Sequence, residues 1–144
     1  MLQKQGVQIV VLVYVDGLIV AGNNSTEIGQ FKTYLHACFH MKDLGKLKYF
    51  LGVEVAQSAT GIFLCQRKYA LDIIDETGLL GAKPAFTPLE QNHHLALADG
   101  SPLSNPEQYR RLIGRLIYLC FIRLELSYCV HTLSQFMHQP KQEH

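Results

Sequence analysis

The chain has 144 residues, a formal net charge of +1 and 48% apolar residues. That length suits one domain or part of a larger one, and that apolar share can bury a core. A near-neutral balance excludes an overall basic field, so any nucleic-acid contact has to rest on a local patch.

Four cysteines, Cys38, Cys65, Cys120 and Cys129, form no CxxC pair and no Cys/His zinc spacing. They predict reduced, buried thiols in an intracellular protein of the cytoplasm or nucleus. The longest apolar stretch, residues 7–20, is interrupted by Asp16 and is too short and too charged to span a bilayer. Lys4, that run and Ala21-Gly22-Asn23 faintly imitate a signal peptide, but the β-branched residues and the central Asp-Gly fit a hairpin better.

In chain order, residues 7–13 read as a buried strand and residues 18–21 as its partner. Asp16-Gly17 between them is a hairpin signal, because both residues tolerate positive φ, and it places Asp16 at the tip. Asn24, with Glu27 three residues on, forms a capping box, and Ile28, Phe31, Leu35 and Phe39 follow at helical spacing, which predicts a helix over 26–38. Residues 49–55 read as one strand and 62–65 as another, with Thr60-Gly61 turning between them. From residue 67 the period changes. Tyr69, Leu71, Ile73 and Ile74 predict a helix ending at Thr77, with Gly78 as its C-terminal cap. Pro84, Pro88 and Pro102 mark a long irregular connection containing His93-His94. Asn105-Pro106 opens the next helix, whose apolar stripe is Tyr109, Leu112, Ile113, Leu116, Ile117 and Cys120. A last helix is expected over about 127–137. The fold class is therefore α+β, with hairpins and one helix in 1–66 and helices alone in 67–144.

Several segments then resemble one family in its own order. Tyr14-Val15-Asp16-Gly17, framed by apolar strands, resembles the YVDD signature of copia-type retrotransposon reverse transcriptases. Phe39-His40-Met41-Lys42-Asp43-Leu44-Gly45 is similar to F-x-M-K-D-L-G, and Lys48-Tyr49-Phe50-Leu51-Gly52-Val53-Glu54 to K-Y-F-L-G-I-E. Gln66-Arg67-Lys68-Tyr69 is similar to Q-x-K-Y, and Lys83-Pro84 with Thr87-Pro88 to C-K-P-x-x-T-P. Residues 109–119 resemble Y-R-x-L-I-G-x-L-x-Y-L, and Leu133-Ser134-Gln135-Phe136-Met137 resembles L-S-R-F-M. The likeness covers nearly the whole chain.

The resemblance implies RNA-directed DNA polymerase chemistry on an RNA template and a DNA primer, with two Mg²⁺ ions bound by hard carboxylate oxygens. It implies a partial polymerase palm over 1–66 and a thumb-like helical region over 67–144. Asp16 matches the first hairpin aspartate, the catalytic metal ligand, and Tyr14 beside it faces nucleic acid. The second hairpin aspartate is replaced by Gly17, which has no oxygen to offer. The remaining aspartate and the fingers belong to segments before the first residue, so the expectation is an inactive remnant that binds Mg²⁺ weakly or not at all. Ile122-Arg123-Leu124-Glu125-Leu126 in place of T-R-P-D-I points the same way. Phe50, Leu51 and Gly52 resemble the primer grip, and Arg110, Gly114 and Tyr118, one helix face at i, i+4 and i+8, resemble the helix that tracks the nucleic-acid minor groove. Arg111 and Arg115 add charge beside it. Two other expectations compete: a non-catalytic nucleic-acid-binding module, and an unselected structural relic. His36 and His40 have zinc-helix spacing without the companion Glu and are expected to be non-catalytic. Asp72, Asp75 and Glu76 are expected to form a solvated face.

Overall fold

The computed structural model describes residues 2–4, 6–90 and 92–144. Among the described residues the fold is mixed α+β, with two small antiparallel sheets and four α-helices, grouped into two compact units, Met1–Leu47 and Lys48–His144.

In the first unit, β1 (Leu2–Lys4), β2 (Val7–Tyr14) and β3 (Gly17–Gly22) form an antiparallel sheet in that order. Strand β2 is apolar on both faces, because Val, Ile and Leu favour the pleated surface. On one face Val7, Ile9 and Val11 are half-buried and Val13 is exposed; on the other, Val10, Leu12 and Tyr14 stay exposed. The β2–β3 register pairs Tyr14 with Gly17, so the two-residue loop is Val15-Asp16 rather than Asp16-Gly17. Positive φ falls on Val15, at 50°, a conformation that crowds a β-branched side chain. Asn23 fixes the other end of the hairpin: its Oδ1 accepts from the Gln8 amide at 2.9 Å and its Nδ2 donates to the Gly6 carbonyl at 2.9 Å. Helix α1 (Ser25–Phe39) starts where expected, with Asn24 Oδ1 accepting from the amides of Thr26 and Glu27. Ile28, Phe31 and Leu35 are half-buried, while Phe39 is exposed.

The second unit opens with β4 (Tyr49–Phe50), β5 (Val53–Ser58) and β6 (Gly61–Cys65). Residues 49–55 are not one strand. The run folds back on itself, pairing Tyr49 with Glu54 and Phe50 with Val53, and Leu51-Gly52 is the turn. Both turn residues have positive φ, 49° and 78°, as a type I′ hairpin requires. Gly52 supplies that freedom at no steric cost; Leu51 does not, which hid the turn from a pattern-based reading.

Helix α2 (Arg67–Glu76) ends in a Schellman motif: the Gly78 amide donates to the Asp75 carbonyl, the Leu79 amide to the Ile74 carbonyl, and Gly78 has a φ of 70°. Its start is capped from a distance. Gln66 makes no side-chain cap, and Glu54 of β5 accepts from the Lys68 amide at 2.8 Å instead. Helix α3 (Pro106–Leu119) begins as predicted, with Asn105 capping the Gln108 amide and Pro106 in the first turn. Helix α4 (Ser127–Ser134) is three residues shorter than the expected 127–137, because residues 135–137 continue only as turns.

The core lies among these helices. Ile73, Ile113, Leu119, Cys129 and Val130 are its buried apolar side chains, and Ile113 is 2% exposed. Of the four thiols, all unpaired, only Cys129 is buried, and burial pushes its pKa up; Cys38 is exposed, against expectation. The change from hairpins to helices does fall near residue 67, but the hairpin of 49–65 groups with the helices, so the compact units divide at Leu47/Lys48. Truncating Ile113 to Ala removes the most enclosed side chain. Denaturant unfolding should show a loss of about 2–5 kcal/mol in the second unit.

Candidate nucleic-acid interface

The β2–β3 hairpin places Asp16 at an exposed tip, next to Val15, which is 85% exposed. Tyr14 lies at the end of β2 and is also exposed. The loop around Asp16 contributes no second carboxylate, because Val15 and Gly17 flank it. Among the described residues, no group of three or more His, Cys, Asp and Glu side chains is gathered in a way that could hold a metal. His36 and His40 end α1 instead: the His36 ring hydrogen-bonds the Met41 carbonyl at 2.7 Å, and His40 is the left-handed cap at φ 53°.

The second unit brings three of the expected contact residues together. The Tyr118 hydroxyl, at the end of α3, donates to the Leu51 carbonyl at the β4–β5 turn. The Tyr118 and Tyr69 rings meet edge to face, with centroids 5.2 Å apart. A Cβ added to Gly52 would lie 3.3 Å from the Tyr69 ring and 3.4 Å from the Tyr118 ring. The close approach that Gly52 permits is therefore made by these two tyrosines. Phe50 is half-buried beside the turn, and Leu51 is exposed.

Tyr69 links the turn to charge. Its hydroxyl donates to the Arg115 carbonyl at 3.3 Å, and the Arg115 guanidinium sits 5.4 Å from its ring centroid, within cation–π range. Arg115 also pairs with Glu76 of α2, and Arg111 reaches the other oxygen of the same carboxylate at 2.6 Å. Glu76 is exposed, as expected, and in addition pairs with two arginines of α3. Asp72 keeps to its own helix and pairs with Lys68, and hydrogen bonding to Asp72 raises the Lys68 pKa.

Arg110 is not gathered at the turn. Its guanidinium donates to the Met137 carbonyl at 2.8 Å and to the His138 carbonyl at 3.2 Å. Gly114 is exposed, and nothing lies within 4 Å of a Cβ added there. Sequence reasoning missed Tyr69, Glu76 and Glu54. Each acts across elements, and only the i, i+4 spacing of Arg111 and Arg115 hinted at a shared partner on a neighbouring helix.

Replacing Gly52 with Ala places a side chain against both tyrosine rings at a φ that L residues avoid. Thermal unfolding should report a loss of about 1–2 kcal/mol. Removing the Tyr118 hydroxyl in Tyr118→Phe should cost about 1 kcal/mol by the same measurement.

A family profile described as reverse transcriptase (RNA-dependent DNA polymerase) matches residues 2–91. The Retrovirus-related Pol polyprotein from transposon RE1 of Arabidopsis thaliana is 41% identical over 143 residues, covering 99% of this chain and 10% of that protein. The corresponding polyprotein from transposon RE2 of the same plant is 40% identical, with the same coverage. An uncharacterized mitochondrial protein of Arabidopsis thaliana is 36% identical over 90% of this chain and 53% of its own length. The chain thus spans about a tenth of the two Pol relatives and about half of the mitochondrial one. No solved structure matches.

Proposed function

The chain belongs to the reverse transcriptase (RNA-dependent DNA polymerase) family of copia-type retrotransposon Pol polyproteins, and from that premise we propose that it grips a template–primer without completing nucleotidyl transfer. In this reading, 1–66 is the C-terminal part of a palm and 67–144 a thumb-like helical region. The ligand is an RNA template paired with a DNA primer. The contact surface in the second unit is the turn at Phe50, Leu51 and Gly52 together with the face of α3 carrying Arg110, Gly114 and Tyr118; in the first unit, taken by itself, the proposed contact is Tyr14 beside the hairpin tip. No described helix is long and apolar enough to cross a membrane, and the proposed compartment is the cytoplasm or nucleus.

The observation that carries this reading is Gly114. Glycine inside a helix is about 1 kcal/mol less favourable than alanine, and a folding reason would be a neighbour that a Cβ would strike. Gly114 has no such neighbour. Its missing side chain leaves the backbone of α3 open to close approach, as a sugar–phosphate surface needs. Its helical neighbour Tyr118 is held at the β4–β5 turn, so both pieces of the surface belong to one unit.

Reverse transcriptases in general use divalent metal ions. The hairpin here does not fit an ion pair: Asp16 is the single carboxylate at its tip, and one carboxylate with water holds Mg²⁺ weakly. The purified chain is expected to give no primer extension on a primed RNA template with Mg²⁺ or Mn²⁺, and incorporation of labelled nucleotide above a no-protein control would contradict this.

A competing reading, a structural relic without a partner, has one observation in its favour: the arginines of α3 are engaged within the chain. Gly114→Ala separates the two. The binding reading predicts that the two properties part company: a rise in melting temperature, from about 1 kcal/mol of helix propensity, with a fall in affinity for an RNA–DNA hybrid. A relic would show the rise alone.

A further inference from the structure

Helix α3 carries three arginines within six residues, yet its two adjacent cations, Arg111 and Arg115, converge on one carboxylate of a neighbouring helix. Glu76 stands in the last turn of α2, and its two oxygens are divided between the two guanidinium groups. The arrangement is partly withdrawn from water: the Arg115 side chain is 24% exposed and Glu76 38%, whereas Arg111 remains 65% exposed. Arg115 is further fixed by the Tyr69 ring. A carboxylate near the helix C-terminus lies at the unfavourable end of the helix dipole, so α2 itself does not favour it there. Its stabilisation comes from the two cations.

We propose that Glu76 is an affinity-setting residue that holds Arg111 and Arg115 away from phosphate, so that the chain binds polyanions below the strength its α3 cations allow. The proposal deepens the template–primer reading and rests on it for the identity of the natural ligand. The physical basis is simple. A phosphate approaching Arg111 has to displace an anion already in place, and Glu76 repels it until that exchange occurs. Half-exposed ion pairs are weak, so the exchange is possible rather than blocked. Removing the carboxylate frees two cations for counterion-releasing phosphate contacts, each of which steepens the salt dependence of binding.

The test compares Glu76→Gln with Asp75→Asn in the full chain. Both raise the net charge by one, but Asp75 is an exposed neighbour that makes neither of these two ion pairs. Each protein is titrated with a labelled RNA–DNA hybrid and with inorganic polyphosphate, by fluorescence anisotropy across a salt series. Glu76→Gln is expected to bind both ligands about threefold to tenfold more tightly, with a steeper slope of log affinity against log salt. Asp75→Asn should stay within about twofold of the parent. The gain should vanish in the triple variant Glu76→Gln/Arg111→Gln/Arg115→Gln. Should Glu76→Gln fail to fold, Glu76→Ala removes the same carboxylate with the best helix former. Equal gains from the Glu76 and Asp75 variants would overturn the proposal, as would no gain for either ligand. A gain for polyphosphate with no hybrid binding by any variant would uphold the role of Glu76 and overturn the template–primer reading.

Discussion

The second unit is organised around the turn at Leu51-Gly52 and the two tyrosines that close on it. Tyr118 donates its hydroxyl to the turn, Tyr69 packs edge to face on Tyr118, and Gly52 is the residue whose missing side chain lets both rings in. This contact joins a β-hairpin to α3 across 67 residues of sequence. Two further links tie α2 to its neighbours: Glu54 of the hairpin caps its start, and Glu76 at its end holds Arg111 and Arg115. A hairpin this short is marginal alone in water, and packing against helices is what gives it a fixed shape.

This arrangement changes what the expected contact residues mean. Gly52 reads from the sequence as room for a ligand, and the structure fills that room with tyrosine. Gly114 has no such tenant, which makes it the better candidate for close approach by nucleic acid. Arg110 reads as a phosphate contact, and its guanidinium also secures the segment after α4 through two backbone carbonyls. Its guanidinium fork suits that work, because five fixed donors can satisfy adjacent acceptors at once. The hairpin of the first unit presents one carboxylate at a strained tip, with an apolar sheet face left exposed behind it.

The legible parts of the fold were those governed by local chemistry. Asn24 and Asn105 announce helix starts because their side chains accept from amides two or three residues on, and Gly78 announces a helix end because it adopts positive φ readily. The illegible parts were those where neighbours override preference. Leu51 and Val15 both take positive φ against their side chains, so the turn inside 49–55 was hidden and the loop at 14–17 was placed one residue late. Glu54 caps a helix from a strand, and Glu76 binds arginines on another helix; beyond the i, i+4 spacing of Arg111 and Arg115, nothing in the sequence pattern points to either partner. The family itself was visible because its motifs recur in order along the chain, while the packing that links those motifs was not.

The central claim, that the chain holds a template–primer, is tested most directly by fluorescence anisotropy of a labelled RNA–DNA hybrid with the unmodified protein from low to high salt. The account predicts saturable binding by a folded, monodisperse sample, weakening linearly in log affinity against log salt as phosphate contacts release counterions. A folded sample that shows no saturable binding even at low salt, or that only self-associates as its concentration rises, would contradict it.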